Sequence, residues 1–352
     1  MTVSIEDVAA RAGVSTATVS RALRGLPNVS EVTRERVRDA ARALDYVVSP
    51  SASSLATGRT STVGVVVPYV GRWFFGQVIS GAETALRQSG LDLLLYTVGA
   101  EESRRRFFAE LPVRRRVDAM LVLSLPLTES EIEAIAGLRL PTAMVGASVP
   151  GFSSVRIDDV GGASKAVNHL INLGHHRIAM IHGAGIEPAK FTAPEDRRRG
   201  YLSALTSAGL DYDESLQVDG GFTLGGGERA MASLLSSKQP PTAVFAQSDE
   251  MAFGALRAIR RAGLRCPEDV SVVGFDDHEM AEMLDLTTVA QPVTEQGVLA
   301  VGHILAELRG EAAPSEDIVP THVVIRGTTA PPSARPMRAR APARTAARTA
   351  AR

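Results

Sequence analysis

Cysteine, lysine and aromatic residues are scarce in this sequence of 352 residues, and no long apolar run occurs in it. Its single cysteine, Cys266, excludes an intramolecular disulfide, and no spacing of cysteine and histidine resembles a zinc site. No segment approaches the roughly 18 apolar residues of a membrane span, and the first residues carry acids instead of the apolar block of a signal peptide. We therefore expect a cytoplasmic protein with no disulfide framework, metal site or membrane segment.

Catalytic sequence motifs are absent as well. The chain contains no GxSxG, HExxH or SxxK sequence, so no nucleophile or catalytic metal can be named. The glycine-rich segment 220–227 lacks both GxGxxG and the lysine of a P-loop. His175 and His176 stand in a predicted turn and are interpreted as structural residues. We predict that the protein is not an enzyme and binds no cofactor.

Charge is distributed unevenly along a chain whose net charge is only −1. Residues 1–60 hold eight arginines against six acids, and residues 331–352 hold six arginines and no acid, which leaves −9 for the segment between them. Contacts with a polyanion are therefore expected at the two ends. The Arg/Ala/Pro tail has no apolar periodicity, so we expect it to be unstructured. It either adds non-specific DNA affinity or is a passive solubilising end.

The first fifty residues predict three short helices. Ser4, Ser15 and Ser30 each precede a stretch with apolar residues at helical spacing, where a serine can cap a helix. Gly13 interrupts the pattern and leaves a tight turn between the first two helices. This order is typical of a helix-turn-helix, whose second helix lies in the DNA major groove. A small structural bundle is the alternative.

In a helix-turn-helix, the first turn of the second helix lies nearest to the base edges. Thr16 and Ala17 occupy that turn and can offer methyl groups to thymine, and Arg21 follows one turn later. A guanidinium can donate two parallel hydrogen bonds to guanine, worth roughly 1–3 kcal/mol of discrimination. The three serines can contact phosphates from helix N-termini or act simply as caps.

A further short helix is predicted between residues 49 and 58. Ser49 can cap it, Pro50 stands at its first position and Gly58 follows its end. Isolated helices shorter than about 12 residues are marginal in water, so this segment is expected to fold only against a partner.

From residue 63 onward, short apolar strands alternate with helices. This alternation predicts two doubly wound units with parallel sheets covered on both faces. Strands are expected at 63–67, 91–96, 119–123, 142–145, 178–181, 243–246 and 270–275. Helices are expected at 159–173, 196–208, 224–235, 250–262 and 294–309.

These features together resemble the lactose-repressor (LacI/GalR) family of bacterial transcription factors. The likeness is carried by IEDVAARAGVSTATVSRALRG (5–25), LATGRTSTVGVVVP (55–68), IDDVGGASKAVNHLINLGHHRIAMI (157–181) and SDEMAFGALRAIRRAGLRCPEDVSVVGFDD (248–277). It implies a helix-turn-helix headpiece and hinge helix, followed by a periplasmic-binding-protein-like core of two doubly wound lobes. The expected boundaries are 1–48 for the DNA-binding domain, 49–60 for the hinge, 61–330 for the effector-binding and dimerisation domain, and 331–352 for the tail.

The resemblance implies a homodimer that binds a pseudo-palindromic operator in double-stranded DNA. Thr16, Ala17 and Arg21 fall at its specificity positions, and Arg24 and Asn28 at further DNA-proximal positions. Leu55 falls where the family inserts a leucine into the minor groove, a wedge that partly unstacks one base step. The chain departs from the family pattern nearby, with Val48-Ser49, Pro50 and Ala52-Ser53, which puts one hinge phosphate contact in doubt.

A small-molecule effector is expected between the lobes, because open parallel sheets bind ligands at the carboxyl ends of their strands. The candidates stand in loops after predicted strands, at the start of a helix or in the glycine-rich loop, and are Phe74, Phe75, Arg197, Phe222, Ser248, Asp249 and Asp276. By resemblance, Arg197 and Asp276 match a polar clamp, and Phe75 and Phe222 match positions where rings lie against the ligand. A planar guanidinium and a carboxylate suit vicinal hydroxyls, so a carbohydrate is the expected ligand.

Less specific interpretations remain open for several of these residues. Asp249 and Asp159 precede helices and can be caps, Phe74 can belong to the core, and Arg197 can pair with a neighbouring acid on the surface. For the whole chain, a DNA-binding regulator that acts as a repressor is the leading hypothesis. A solute-binding protein and a sugar- or nucleoside-processing enzyme are the alternatives.

Overall fold

The computed structural model describes residues 3–46, 58–183 and 192–333. The chain divides into two compact units, Met1–Ser61 and Thr62–Arg352, which we call the headpiece and the core. Most of the predicted hinge and most of the tail lie outside the described residues, so both stay predictions.

The headpiece contains three helices in its described part, α1 (Ile5–Ala12), α2 (Thr16–Leu23) and α3 (Glu31–Ala43). Each helix contributes one fully buried valine to a small core completed by alanines, and these are Val8, Val19 and Val37. Gly13 ends α1 in the left-handed conformation, with φ of 66°, which glycine adopts without steric cost. The predicted helix-turn-helix is therefore present.

The described part of the core contains two six-stranded sheets, each the centre of one lobe. The strands of the first lobe are β1 (Thr62–Val67), β2 (Asp92–Thr97), β3 (Ala119–Leu123), β4 (Thr142–Val145), β5 (Ser153–Ile157) and β11 (Glu316–Val319). They are arranged in the order β11-β5-β4-β3-β1-β2, and every neighbouring pair is parallel. Its helices are α4 (Trp73–Gln88), α5 (Glu101–Glu110) and α6 (Glu129–Ala136).

The second lobe has the same plan with one antiparallel strand. Its strands are β6 (Ile178–His182), β7 (Gln217–Asp219), β8 (Ala243–Ala246), β9 (Ser271–Asp276), β10 (Thr287–Ala290) and β12 (His322–Val324). Their order is β12-β10-β9-β8-β6-β7, and only β12 runs antiparallel among the described pairings. Its helices are α7 (Asp159–Asn172), α8 (Ala193–Ser207), α9 (Leu224–Leu235), α10 (Asp249–Arg261) and the short α11 (Met280–Met283).

The chain passes between the lobes three times, after β5, after β10 and after β11. Helix α12 (Val293–Leu308) follows the second crossing and returns to the first lobe, where it packs against α4. This approach is very close, since a Cβ atom at Gly81 would lie 2.0 Å from the Thr294 carbonyl oxygen. Three crossings make the lobes two halves of one unit and place the carboxyl ends of both sheets around a common cleft.

All seven predicted strands are present, with ends that differ by at most one residue. Strands β5, β7, β10, β11 and β12 were not predicted, because all five are short and all except β12 are at least half polar, as in Thr287-Thr288 of β10. Residues 73–75, expected in a loop, form the first turn of α4 instead. In the described residues, no helix combines the length and apolar composition needed to cross a bilayer.

Candidate functional site

Helix α2 has one buried face and one exposed face. Val19 and Ala22 are fully buried against the neighbouring helices, whereas Thr16, Ala17 and Arg21 are exposed. The three predicted base-reading side chains therefore share the solvent-facing side of the second helix. An exposed guanidinium one turn behind two methyl-bearing residues has the arrangement that direct base readout requires.

The three serines cap their helices. The Ser4 hydroxyl accepts a hydrogen bond from the Asp7 backbone nitrogen at 3.3 Å, and the Asp7 carboxylate accepts one from the Ser4 nitrogen at 2.8 Å. The backbone hydrogen bond from Ser4 lowers the pKa of Asp7. Ser15 and Ser30 accept from backbone nitrogens three residues ahead, at 3.2 and 3.3 Å. Capping is thus one role of all three serines, and a phosphate contact remains a prediction.

Two further predicted DNA-proximal residues follow α2. Arg24 is its half-exposed C-cap residue, and Asn28 lies exposed in the next turn with φ of 68°, a left-handed conformation that asparagine tolerates. Leu55, the predicted minor-groove wedge, lies outside the described residues.

A cleft of about 680 Å³, measured to its open mouth, lies between the carboxyl ends of the two sheets. Six of the seven predicted effector residues line it, and these are Phe74, Phe75, Arg197, Phe222, Ser248 and Asp276.

Arg197, near the start of α8, is the most heavily bonded side chain of the cleft and is only 6% exposed. Its Nε donates to Asp159 at 2.7 Å, its Nη1 donates to the Gln247 carbonyl, and its Cζ lies 3.6 Å above the centre of the Phe275 ring. The alternative pairing with a neighbouring surface acid is excluded for Arg197. Arg198 and Arg199 make those pairings instead.

Asp276, the last residue of β9, lies opposite this guanidinium. Its Oδ1 is 3.8 Å from Arg197 Nη1 and accepts a hydrogen bond of 2.6 Å from Gln291 Nε2. Gln291 in turn accepts from Gln296 at 2.9 Å. Burial raises the pKa of Asp276 to about 8, although the Arg197 charge opposes this shift. The clamp therefore combines a fixed guanidinium, a carboxyl group and two amides, which suits a polyhydroxylated ligand.

Asp249 does not line the cleft, so its assignment as an effector residue is wrong. The side chain is completely buried behind the site, where it accepts hydrogen bonds from the Thr288 hydroxyl at 2.6 Å and the His278 backbone nitrogen at 2.8 Å. It is not the cap of α10 either, because Ser248 accepts the capping hydrogen bond from Met251. Asp249 ties α10 to the strand ends that carry Asp276.

Sequence reasoning missed six polar residues that line the cleft, and these are Arg72, Ser124, Asp159, Glu250, Gln291 and Gln296. The interpretation of Asp159 as a cap is wrong, because Asp158 caps α7 and Asp159 accepts a hydrogen bond from Arg197 Nε at 2.7 Å. A usable signal existed for Ser124, which directly follows a predicted strand. None existed for Gln291 and Gln296, because the strand before them was not recognised.

Three aromatic side chains line the cleft, and one of them packs directly over a glycine. Phe222 adopts a left-handed conformation, with φ of 53°, and its ring covers Gly183, where a Cβ atom would lie 1.8 Å from Phe222 Cε2. Phe74 and Phe75 meet edge to face with their centroids 5.4 Å apart. Three rings thus flank the polar clamp, as aromatic faces do around the apolar face of a sugar.

Histidine at position 175 is structural, as predicted. It is 2% exposed, with Nδ1 at 2.9 Å from the Thr242 hydroxyl and Nε2 at 2.9 Å from the Ala330 carbonyl oxygen. In the three described ranges, no cluster of histidine, cysteine and acidic residues could hold a metal ion.

Known proteins are similar to this chain along nearly its whole length. Residues 4–49 match the family model described as bacterial regulatory proteins, lacI family, and residues 167–329 match a periplasmic binding protein-like domain. The HTH-type transcriptional repressor CytR of Escherichia coli strain K12 is 36% identical over 332 residues, which cover 93% of this chain and 96% of CytR. The HTH-type transcriptional regulator CelR of Thermobifida fusca is 37% identical over 335 residues, covering 92% and 97% of the two chains.

Solved structures agree with these relatives. The lac repressor dimer bound to operator and the anti-inducer ONPF superposes with a TM-score of 0.83 at 27% identity, covering 94% of this chain and all of that one. The complex of CelR with cellobiose gives a TM-score of 0.69 at 34% identity, with 93% and 99% covered. The relatives are transcriptional regulators, not enzymes. This chain belongs to the lacI family of bacterial regulatory proteins and is a DNA-binding transcriptional regulator.

Proposed function

We propose that the protein is a repressor that binds a twofold-symmetric operator as a homodimer and is controlled by a sugar or sugar derivative in the cleft. One observation carries the proposal. The same chain joins a helix with exposed Thr16, Ala17 and Arg21 to a two-lobed core whose cleft holds a buried polar clamp. Such a repressor acts in the cytoplasm, where it has access to DNA.

Base readout is assigned to α2. In the described residues, Arg21 and Arg24 make no ion pair, whereas Arg34, Arg38 and Arg42 on α3 pair with acids. An unpaired guanidinium is available for guanine or phosphate without first breaking a salt bridge. The related lac repressor has been solved on its operator as a dimer, which supports the same assembly here.

The test of this assignment is selection of binding sites from random duplexes with the full-length protein. We expect enrichment of one twofold-symmetric sequence. Arg21→Ala should relax the preference at one base pair in each half-site, by about 1–3 kcal/mol. Arg36→Ala, which removes an exposed arginine of α3, is the matched control and should lower affinity without relaxing the preference. Equal loss on all sequences for Arg21→Ala would contradict base readout.

Sugar binding is assigned to the cleft because its polar groups and rings match the chemistry of a carbohydrate. Arg197, Asp276 and Gln291 offer fixed donors and acceptors, and Phe75 and Phe222 offer ring faces. The related CelR has been solved with cellobiose, which supports a sugar ligand here. Thermal-shift screening against sugars should find a stabilising ligand, and Asp276→Asn should abolish its shift. A ligand that stabilises the wild type and Asp276→Asn equally would place binding elsewhere.

A further inference from the structure

Three consecutive arginines lie at the edge of the first lobe that is opposite the effector cleft. We call residues 114–116, which precede β3, the arginine turn, and all three side chains are exposed. Because β3 begins at Ala119, the turn stands at the amino ends of the strands, whereas the cleft lies at their carboxyl ends. The arginine turn is therefore separate from the site proposed for the effector.

The arginine turn is fixed to the first strand of the core. Val113 and Val117, on either side of it, are buried, and a Cβ atom at Gly64 of β1 would lie 3.4 and 3.3 Å from their methyl groups. The backbone nitrogen of Asp118 donates to the Thr62 carbonyl at 2.8 Å. Packing and a hydrogen bond thus hold the three arginines beside the start of β1.

The start of β1 is also where the chain connects the core to the headpiece. The headpiece ends at Ser61 and the core begins at Thr62. Along the chain, Thr62 is therefore the core residue nearest to the DNA-binding unit, and the arginine turn lies beside it. The connecting segment 47–61 contains one arginine and no acid, so it offers the turn no carboxylate.

Within the described residues, no acid forms an ion pair with the arginine turn. Asp92 begins β2 and Asp118 precedes β3, yet neither pairs with these arginines. Arg139, in the loop before the neighbouring strand β4, is also exposed and forms no ion pair in this part of the chain. Other exposed arginines of the core mostly have acidic partners, as Arg87 has in Glu83 at 3.0 Å. Since residues 61–330 carry a net charge of −9, the turn is a local positive patch on an acidic core.

Like charges on adjacent residues repel one another, and an anion that contacts them relieves this repulsion. Guanidinium groups bind phosphate oxygens through paired hydrogen bonds, and DNA presents phosphates at a regular spacing. We propose that the arginine turn contacts phosphates of the bound DNA, so that the core adds to the affinity supplied by the headpiece. The connection to the DNA-binding unit favours DNA over an acidic protein. This inference rests on DNA binding by the headpiece and not on the identity of the effector.

DNA titrations of the full-length protein at several salt concentrations test the proposal. Each phosphate contact contributes about 0.9 to the slope of log affinity against log salt concentration. The variant Arg114→Gln/Arg115→Gln/Arg116→Gln should reduce this slope by at least about 2, as one contact in each copy of a dimer predicts. Its affinity should fall by about tenfold or more on both the selected duplex and a scrambled duplex, because phosphate contacts carry no sequence information.

A second triple variant is the matched control. Arg105→Gln/Arg229→Gln/Arg260→Gln removes one exposed arginine from each of α5, α9 and α10, and none of the three forms an ion pair in the described ranges. The net charge changes by the same amount, but the slope should change by less than half as much. Replacement of the arginine turn by three lysines keeps its charge and should preserve the slope. Urea unfolding curves that match the wild type verify that each variant is folded.

Two results would overturn the proposal. An unchanged slope in the glutamine variant of the turn would exclude phosphate contacts and favour an acidic protein as the partner. An equal reduction in the matched control would show that net charge alone accounts for the effect. The ratio of the affinities for the selected and scrambled duplexes tests base readout by the headpiece instead. A wild type without such a preference would contradict the proposed function, and the salt slopes would still decide this inference.

Discussion

Three buried aspartates of the second lobe differ in what they do because their partners differ. Asp159 pairs with Arg197, Asp276 faces the cleft beside Gln291, and Asp249 holds the backbone of His278. Burial raises the pKa of all three, to about 8 for Asp276 and about 7 for Asp249. Each carboxyl therefore carries a desolvation cost that its hydrogen bonds offset only in part.

The raised pKa of Asp276 predicts a specific dependence of stability on pH. Between pH 4 and pH 8 the unfolded carboxyl has ionised while the folded one stays protonated, so the free energy of unfolding falls as pH rises through this window. Asp276→Asn removes this term. Its free energy of unfolding should rise relative to the wild type by at least about 1.4 kcal/mol between pH 5 and pH 8, measured by urea denaturation.

Ser124→Ala is the control for this experiment, because it removes a neutral polar group from the same cleft. Its difference from the wild type should not change with pH. A difference for Asp276→Asn that is equally constant would show that the Asp276 carboxyl is ionised in the folded protein throughout this range.

Two substitutions distinguish whether Ser15 only caps α2 or also contacts a DNA phosphate. Ser15→Ala should lower the stability of the headpiece by about 1 kcal/mol, because the cap of α2 is lost. Ser15→Asp preserves a cap and should keep the stability, but its negative charge should repel phosphate and weaken binding equally on all DNA sequences. Unfolding curves and DNA titrations at one salt concentration measure both effects. Unchanged affinity in Ser15→Asp would leave Ser15 as a cap alone.

Among the elements, α4 brings an aromatic residue of the first lobe against the second. Trp73, at its first position, stacks on His278 after β9, with centroids 4.6 Å apart and ring planes inclined by 29°. Phe253 of α10 meets the same imidazole edge to face at 5.2 Å. This contact depends on the separation of the lobes, and Trp73 is the only tryptophan of the sequence.

Effector binding that moves one lobe relative to the other should therefore change tryptophan fluorescence. The midpoint of a fluorescence titration should equal the Kd from calorimetry. Trp73→Phe should eliminate the signal, and His278→Ala should reduce the change without preventing binding, because His278 does not line the cleft. A full-sized change in His278→Ala would mean that the stack does not report lobe movement.

Elements with a continuous apolar pattern could be predicted from the sequence, whereas those defined by their neighbours could not. Strand β3, all apolar and fully buried, was found with its ends correct. Strand β10 begins with two threonines whose burial depends on hydrogen bonds to Asp249 and to residues near 328, which no local pattern encodes. The same holds for the residues of the cleft. Arg197 and Asp276 could be predicted because they adjoin a predicted helix and a predicted strand, whereas Gln291 follows strand β10, which was not predicted.

On the scale of the whole molecule, control of DNA binding requires two states that an effector distinguishes. Changing the ratio of two conformations from 1:99 to 99:1 requires the ligand to bind one of them about 5.5 kcal/mol more tightly than the other. The ligand must therefore make far better contacts with both lobes in one conformation than in the other. The cleft meets this requirement, since Phe75 and Ser124 come from the first lobe and Arg197 and Asp276 from the second.

The predicted hinge gives a test of how the control reaches DNA. Leu55→Ala should weaken binding to the selected symmetric site at least tenfold if the predicted minor-groove wedge is lost, while the base preference proposed for Arg21 should persist. Leu26→Ala, at an exposed leucine after α2, serves as the comparison for loss of apolar surface. Binding of Leu55→Ala at the wild-type affinity would contradict the prediction that Leu55 inserts into the minor groove.

The most direct measurement is the affinity of the full-length protein for its selected symmetric duplex and for a scrambled duplex. It is made by fluorescence anisotropy at a fixed salt concentration, with and without the sugar found by thermal-shift screening. The account predicts a preference of at least about 10³ for the selected duplex and a change of about 5- to 150-fold when the sugar is added. Equal affinity for the two duplexes, or an affinity that the bound sugar does not alter, would contradict it.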